Sequence, residues 1–472
     1  MSIKSLGKQS LIYGLGHVLA RVIMFVMLPV YTNVFNQEDY GALSLAYAFM
    51  GFALIIYRYG TDTAMLKYSV QEKGDDRIRY ITIIILSQVI TGALFSAILI
   101  LLKNDICYFI LGSYQPDWVI YLALILYLDS LWNLPLLILR SEERALSFIS
   151  ISLINVITTM VLNIIFIIYL GFGVEGVFIA NIFASGLVFI ISLPLVYNRI
   201  SFRLINRVAL KELAKFALPF LPAGIFTMIM ELSDRYLIEY ILGTADVGIY
   251  SAGKKMGMLG LTVVMAFNMG WYPYFLKRGK DKNAKTEFAG IASIFLGIIG
   301  YISLLVTLWI SEIMRIPLMG KTLIGSEFWS CEPVVGTVLI GYYFFGIYII
   351  QLPGVYLKGI THWVPFFRIS GAITLIVSGI FLIPIFGFIG AAYSALLGYI
   401  VMGISTYIKT HRLYPVPYNY RAILFPIFFL ICSQISPNIT ILNIVLSVLY
   451  PLMWYNFAIN FEEKNSIIRL FK

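Results

Sequence analysis

The sequence predicts an all-α integral membrane protein of about 14 transmembrane helices, two parallel six-helix repeats followed by a C-terminal helix pair. Three observations lead there. Of 472 residues, 60% are apolar and 12% charged, with a mean hydropathy of +0.88, about half the charge share of a soluble chain. Apolar runs near twenty residues recur from end to end, the length that crosses about 30 Å of hydrocarbon. The basic residues gather in alternate connections between those runs. Only helices satisfy their own backbone groups in such a setting, so the runs read as helices and not as strands.

The runs fall near residues 11–34, 41–57, 80–102, 118–139, 147–170, 174–197, 216–242, 247–275, 288–310, 334–354, 364–385, 388–408, 422–436 and 439–459. The first is long, carries His17 and Arg21, and lacks a small-residue cleavage site, so it reads as a retained span and not as a signal peptide. Alternate connections, together with Arg368 at the edge of the run that follows one of them, then hold 27 of the 34 Lys and Arg residues, against Lys103, Arg315 and Lys321 on the other side. Arg21, Arg235, Lys254 and Lys255 fall within spans. That asymmetry predicts cytoplasmic N- and C-termini. It also accounts for the net charge of +10, so the basicity records orientation and not a nucleic-acid partner; membrane lipids are the partners it implies.

No connection is long enough to fold as a domain; the largest are near 61–79, 198–215 and 311–333. The second ends in the amphipathic segment Arg207 to Lys215, whose basic face suits the cytoplasmic membrane surface. Two weak repeats flank it. Asp-x-Gly-x-x-Ser occurs at Asp39–Ser44 and Asp246–Ser251, an offset of 207, and Gly-x-x-Gly at Gly173–Gly176 and Gly387–Gly390, an offset of 214. Six is an even number of spans, so the halves are parallel repeats, a transporter architecture with the substrate path between them. The expected organisation is an N-terminal lobe over 1–200, a linker over 201–215, a C-terminal lobe over 216–410, and two additional helices with a tail over 411–472.

Charges inside spans are costly and face the protein interior or water. Glu231, Asp234, Arg235 and Glu239 lie along one face of the seventh span. The eighth span returns with Lys254 and Lys255, and Lys255 sits about as deep as Asp234, some 12 Å from the outer boundary, which predicts an ion pair. His17 and Arg21 are one turn apart in the first span, and Arg21 offers a planar fork for an anion. Arg58 and Asp62 read as an interfacial ion pair, and Asp129 as a polar interhelical contact. Cys107, Cys331 and Cys432 show no ligand spacing and read as isolated thiols. No Walker motif is present, so active transport has to draw on an H+ or Na+ gradient; no other cofactor, metal site or catalytic residue is expected.

The segments Ser233-Asp234-Arg235-Tyr236-Leu237-Ile238, Val247-Gly248-Ile249-Tyr250-Ser251 and Lys254-Lys255 resemble the middle of polysaccharide transporters. These form the O-antigen (lipid-linked oligosaccharide) flippase branch of the multidrug/oligosaccharidyl-lipid/polysaccharide exporter superfamily. Pro29 to Phe35, Tyr40-Gly41 and the Gly387-x-x-Gly390-Ala391-Ala392 turn are similar to it as well. The resemblance implies a flippase in the cytoplasmic (inner) membrane that moves a polyprenyl-pyrophosphate-linked oligosaccharide by alternating access. Other polysaccharide assembly proteins would be its partners. Arg21, Arg235, Lys254 and Lys255 are then candidates for the diphosphate, with His17, Glu231, Asp234 and Glu239 for ion coupling or for modulating the cavity. Competing readings are a multidrug or cation antiporter, which favours an acidic cavity, and a membrane polysaccharide polymerase or acyltransferase, which favours a basic outer loop.

Overall fold

The computed structural model describes residues 25–112, 115–197, 199–318, 320–435, 440–460 and 463–464. The chain divides into two compact units, Met1–Leu232 and Ser233–Lys472. The first contains α1 (Phe25–Val34), α2 (Gln37–Arg58), α3 (Thr61–Gln71), α4 (Gly74–Leu101), α5 (Lys103–Ile110) and α6 (Pro116–Ser141). It continues with α7 (Ala145–Asn163), α8 (Gly173–Tyr197) and α9 (Arg207–Ala217), and α10 (Phe220–Ile241) crosses into the second unit. There follow α11 (Thr244–Arg278), α12 (Ala284–Leu308), α13 (Ile310–Met314), a two-residue hairpin of β1 (Pro317–Leu318) and β2 (Lys321–Thr322), and a short turn at Ser326–Cys331. The chain then runs through α14 (Glu332–Tyr356), α15 (Trp363–Phe386), α16 (Phe388–Leu413), α17 (Tyr420–Ile435) and α18 (Thr440–Met453).

Eleven helical segments among the described residues are long and apolar enough to cross a membrane. Three of the fourteen predicted runs stand outside that set. Only the end of the first is described, as Phe25–Val34, and the thirteenth is an apolar but shorter helix. The eighth is α11, whose 35 residues span about 52 Å but carry Asp246, Lys254 and Lys255. Outward faces are apolar where a soluble protein is polar: Ile90 and Leu94 on α4, Phe381 and Ile385 on α15 and Phe428 on α17 are each more than half exposed. Such surfaces need a lipid solvent. The molecule is a multi-pass membrane protein.

Connections that the charge pattern assigns to one side do meet. Glu142, past the end of α6, takes Arg77 from the first turn of α4 and Arg199 from beyond α8, each at 2.9 Å. In the second unit the Tyr414 hydroxyl donates to the Gly279 carbonyl at 3.2 Å, and Lys285 lies over the Tyr414 ring. These contacts join the ends of α16 and α11 to the start of α12. At the other ends, Asn443 of α18 donates to the Leu308 carbonyl of α12 at 2.7 Å.

The segment read as a linker belongs to the packing of the first unit. Asn206 caps α9 by accepting from the Ala209 amide at 2.7 Å, which satisfies one orphan donor of the first turn. Ala209, Leu213 and Ala217 then pack with Met65, Tyr68, Tyr80 and Ile84. Tyr80 hydrogen-bonds Glu212, and Lys67 sits 3.9 Å above the Phe216 ring. Part of the connection predicted at 61–79 is therefore α3, folded against α9.

The repeated motifs occupy equivalent positions in the two units. Asp39 and Asp246 each stand in the first turn of a helix, α2 and α11, where a carboxylate meets the positive end of the dipole. Gly173 and Gly387 both take positive φ, 60° and 63°, and each opens a helix, a conformation glycine adopts at little steric cost. In the second unit α14 is central, with 78% of its apolar stretch buried, against 17% for α7 in the first unit. Gly253, Gly257 and Gly260 let α11 approach α14: a Cβ at Gly257 would lie 2.6 Å from Val338. Small residues at such spacing are how helices pack closely without a solvent-driven core.

Candidate functional site

The α10–α11 pair brings together most of the intramembrane charges seen in the sequence. Asp234 points from α10 to α11 and is completely buried. Its Oδ2 accepts from the Tyr250 hydroxyl at 2.6 Å and pairs with Lys254, whose side chain is 7% exposed. Its Oδ1 accepts the Arg235 amide at 2.9 Å, and the Arg235 guanidinium stands 3.8 Å away. Tyr250 and Lys254 are four residues apart, so they share the α11 face turned towards Asp234.

This corrects the expected pairing. Depth alone matches Asp234 to Lys255, whereas the lysine it holds is Lys254. Depth along a helix and direction around it are separate coordinates, and one residue turns the side chain by about 100°. Lys255 is only half-buried and lies within electrostatic reach of Arg235. Two cations thus flank one buried carboxylate, Lys254 and Arg235, and Lys254 is the one more fully committed to it. Tyr250 was not among the expected site residues, though its spacing of four from Lys254 is a signal that was available.

Glu231 lies one turn before Arg235 on α10 and is half-buried. Glu239 ends the same face near the α10–α11 turn: its Oε1 accepts from the Thr244 hydroxyl at 3.0 Å, while its Oε2 is buried without a partner among the described residues. Arg21 and His17 lie outside the described residues. Asp129, expected as a simple interhelical contact, accepts from Ser185 of α8 at 2.6 Å and from Trp132 at 2.8 Å. The Arg58–Asp62 pair forms at 3.2 Å, and Asp62 also accepts from Asn133 of α6 at 2.8 Å. The three cysteines make no disulfide. Among the described residues no three His, Cys, Asp or Glu side chains gather as a metal site.

Residues 6–278, more than half of the chain, match the model of a family described as polysaccharide biosynthesis protein. The chain belongs to that family. A Haemophilus influenzae protein described as an uncharacterized membrane protein is 24% identical over 347 residues, covering 72% of this chain and 82% of the relative. Two solved structures share the fold. The lipid II flippase MurJ, in an inward closed conformation, superposes with a TM-score of 0.74 at 13% identity, covering 94% of this chain and 98% of that one. A multidrug resistance MATE family transporter of the MOP superfamily, facing inward, gives 0.66 at 14% identity, covering 88% and 96%. The family member described here therefore shares the all-helical fold of those two transporters.

Proposed function

We propose that the protein is a flippase that moves a polyprenyl-pyrophosphate-linked oligosaccharide across the cytoplasmic membrane by alternating access, for the biosynthesis of a surface polysaccharide of the O-antigen or capsule type. The family membership carries this reading: a polysaccharide biosynthesis protein with a transporter fold has a membrane-bound intermediate to move. Both termini would be cytoplasmic, as the distribution of Lys and Arg favours. The two lobes, 1–200 and 216–410, would exchange access, with 411–472 an added helix pair.

In this reading the cations of α10 and α11 meet the diphosphate. Arg235 presents a planar donor array suited to phosphate oxygens, and Lys255 adds a second charge. Lys254 acts indirectly, because Asp234 and Tyr250 hold it and keep the α10–α11 face rigid. Arg21 of the first span is a separate candidate for a diphosphate contact. Arg235 and Lys255, which stand beyond the Asp234–Lys254 pair, suit an anionic cargo better than a cationic drug.

The test is a deletion strain that lacks any paralogue. Lipid-linked repeat units should accumulate on the cytoplasmic leaflet and be cleared when the gene is restored. Normal outward delivery in the deletion strain would overturn the proposal. Efflux of cationic drugs that tracks expression would favour the antiporter reading, and polymer formation by the purified protein the enzyme reading.

A further inference from the structure

A carboxylate that the cationic site leaves unused lies at the midpoint of α6. Asp129 Oδ1 is saturated by two neutral donors, the Ser185 hydroxyl at 2.6 Å and the Trp132 indole at 2.8 Å. Its Oδ2 has no hydrogen-bond partner among the described residues, and no salt bridge to Asp129 forms there. The residue is half-buried.

The ionisable surroundings are sparse. From α2, Tyr47 and Arg58 lie within electrostatic reach, and Arg58 already has Asp62 at 3.2 Å. From α3, Asp62 approaches through Asn133. α7 has no ionisable side chain, and α8 has Glu175 and Tyr197 only near its ends. On α4 the ionisable groups Asp75, Asp76, Arg77, Arg79 and Tyr80 stand in the first two turns, and on α5 Lys103, Asp105, Cys107 and Tyr108 stand in the first two. An ionised carboxylate at such depth loses hydration that two neutral donors only partly replace.

Asp129 is also the centre of a polar file. Asn181 of α8 donates to the Tyr47 hydroxyl of α2 at 3.1 Å. One turn on, Ser185 bonds Asp129; one turn further along α6, Asn133 bonds Asp62; and Asp62 pairs with Arg58. Each intrahelical step spans four residues, about 6 Å. The file threads helices whose other residues are largely apolar.

We infer that Asp129 is the proton-binding group of the transport cycle: a proton from water adds to Oδ2 to give the neutral acid and returns to water when the carboxylate re-forms. The assignment of a coupling role rests on the flippase reading; the protonation of Asp129 does not. A merely structural Asp129 would tie α6 to α8 and keep one charge state throughout.

The test uses the full-length protein and its Asp129→Asn variant. The amide keeps a carbonyl oxygen for Ser185 and Trp132, so the fold should persist. Infrared difference spectra between acid and alkaline pH should show a carboxylic C=O band in the native protein that is absent in the variant. In proteoliposomes, an inward proton gradient should stimulate export of lipid-linked oligosaccharide by the native protein. The variant should lose that stimulation yet retain exchange without a gradient. Transport with unchanged gradient stimulation and an unchanged band in the variant overturns the inference and leaves the flippase standing, as does stimulation by a sodium gradient alone. A titrating Asp129 band in a protein that moves no lipid-linked sugar under any gradient overturns the flippase and the coupling role, while the protonation stands.

Discussion

Asp234 receives Tyr250, Lys254 and the Arg235 amide in a volume closed to solvent. Removing one partner of a buried ion pair strands the other, at about 3–5 kcal/mol, whereas replacing both with apolar groups of similar size is often nearly neutral. Asp234→Leu and Lys254→Met should therefore each lower the thermal unfolding midpoint in detergent, and the double variant should recover much of the loss. Strictly additive losses would contradict a paired site. Arg235→Ala and Lys255→Ala should instead leave the midpoint nearly unchanged and impair transport. Burial pushes the Cys107 thiol up, against a bond from the Gln115 amide to its sulfur. Since only the thiolate attacks, alkylation of Cys107 should be slow at neutral pH and accelerate as pH rises; rapid labelling at neutral pH would show that the site is open. At this scale residue type and depth were legible in the sequence. Partner choice was not, because Lys254 and Lys255 differ by one residue in sequence but by a large rotation about the helix.

Elements reveal a second kind of legibility. Long apolar runs announced the spans, and the amphipathic pattern of Arg207 to Lys215 announced α9 as a membrane-surface segment, but nothing announced that α3 would form or that α3 and α9 would pack together. Their apolar contacts, Met65 and Tyr68 with Leu213 and Ala217, are interleaved with charges and become a core only when the two helices meet. Gly60 records that meeting: a Cβ there would lie 2.1 Å from the Ala217 carbonyl oxygen. Gly257→Val should crowd Val338 on α14 and reduce stability by about 1–3 kcal/mol, the usual range for overpacking. Gly290→Ala, with open space beside it, is the control and should be silent. Comparable losses at both positions would remove the close-packing account of α11 and α14.

For the whole molecule, the charge division predicts an orientation because every loop carries its own vote. The family model and the shared transporter fold then narrowed a membrane protein of some kind to a member of a polysaccharide biosynthesis family. Cargo was less legible, since it depends on which side chains face one another across helices far apart in sequence. Cysteines placed at Lys73 and Lys282 should react with an impermeant reagent only from the cytoplasmic side, and one at Lys321 only from outside. A reversed pattern would invert the proposed direction of transport. The most direct measurement is leaflet exchange itself: purified protein in liposomes, a labelled polyprenyl-pyrophosphate oligosaccharide in one leaflet, and a probe that reads only the other. The account predicts exchange that depends on the protein and slows in Arg235→Ala; exchange no faster than in protein-free liposomes, from protein shown to be folded, would contradict it.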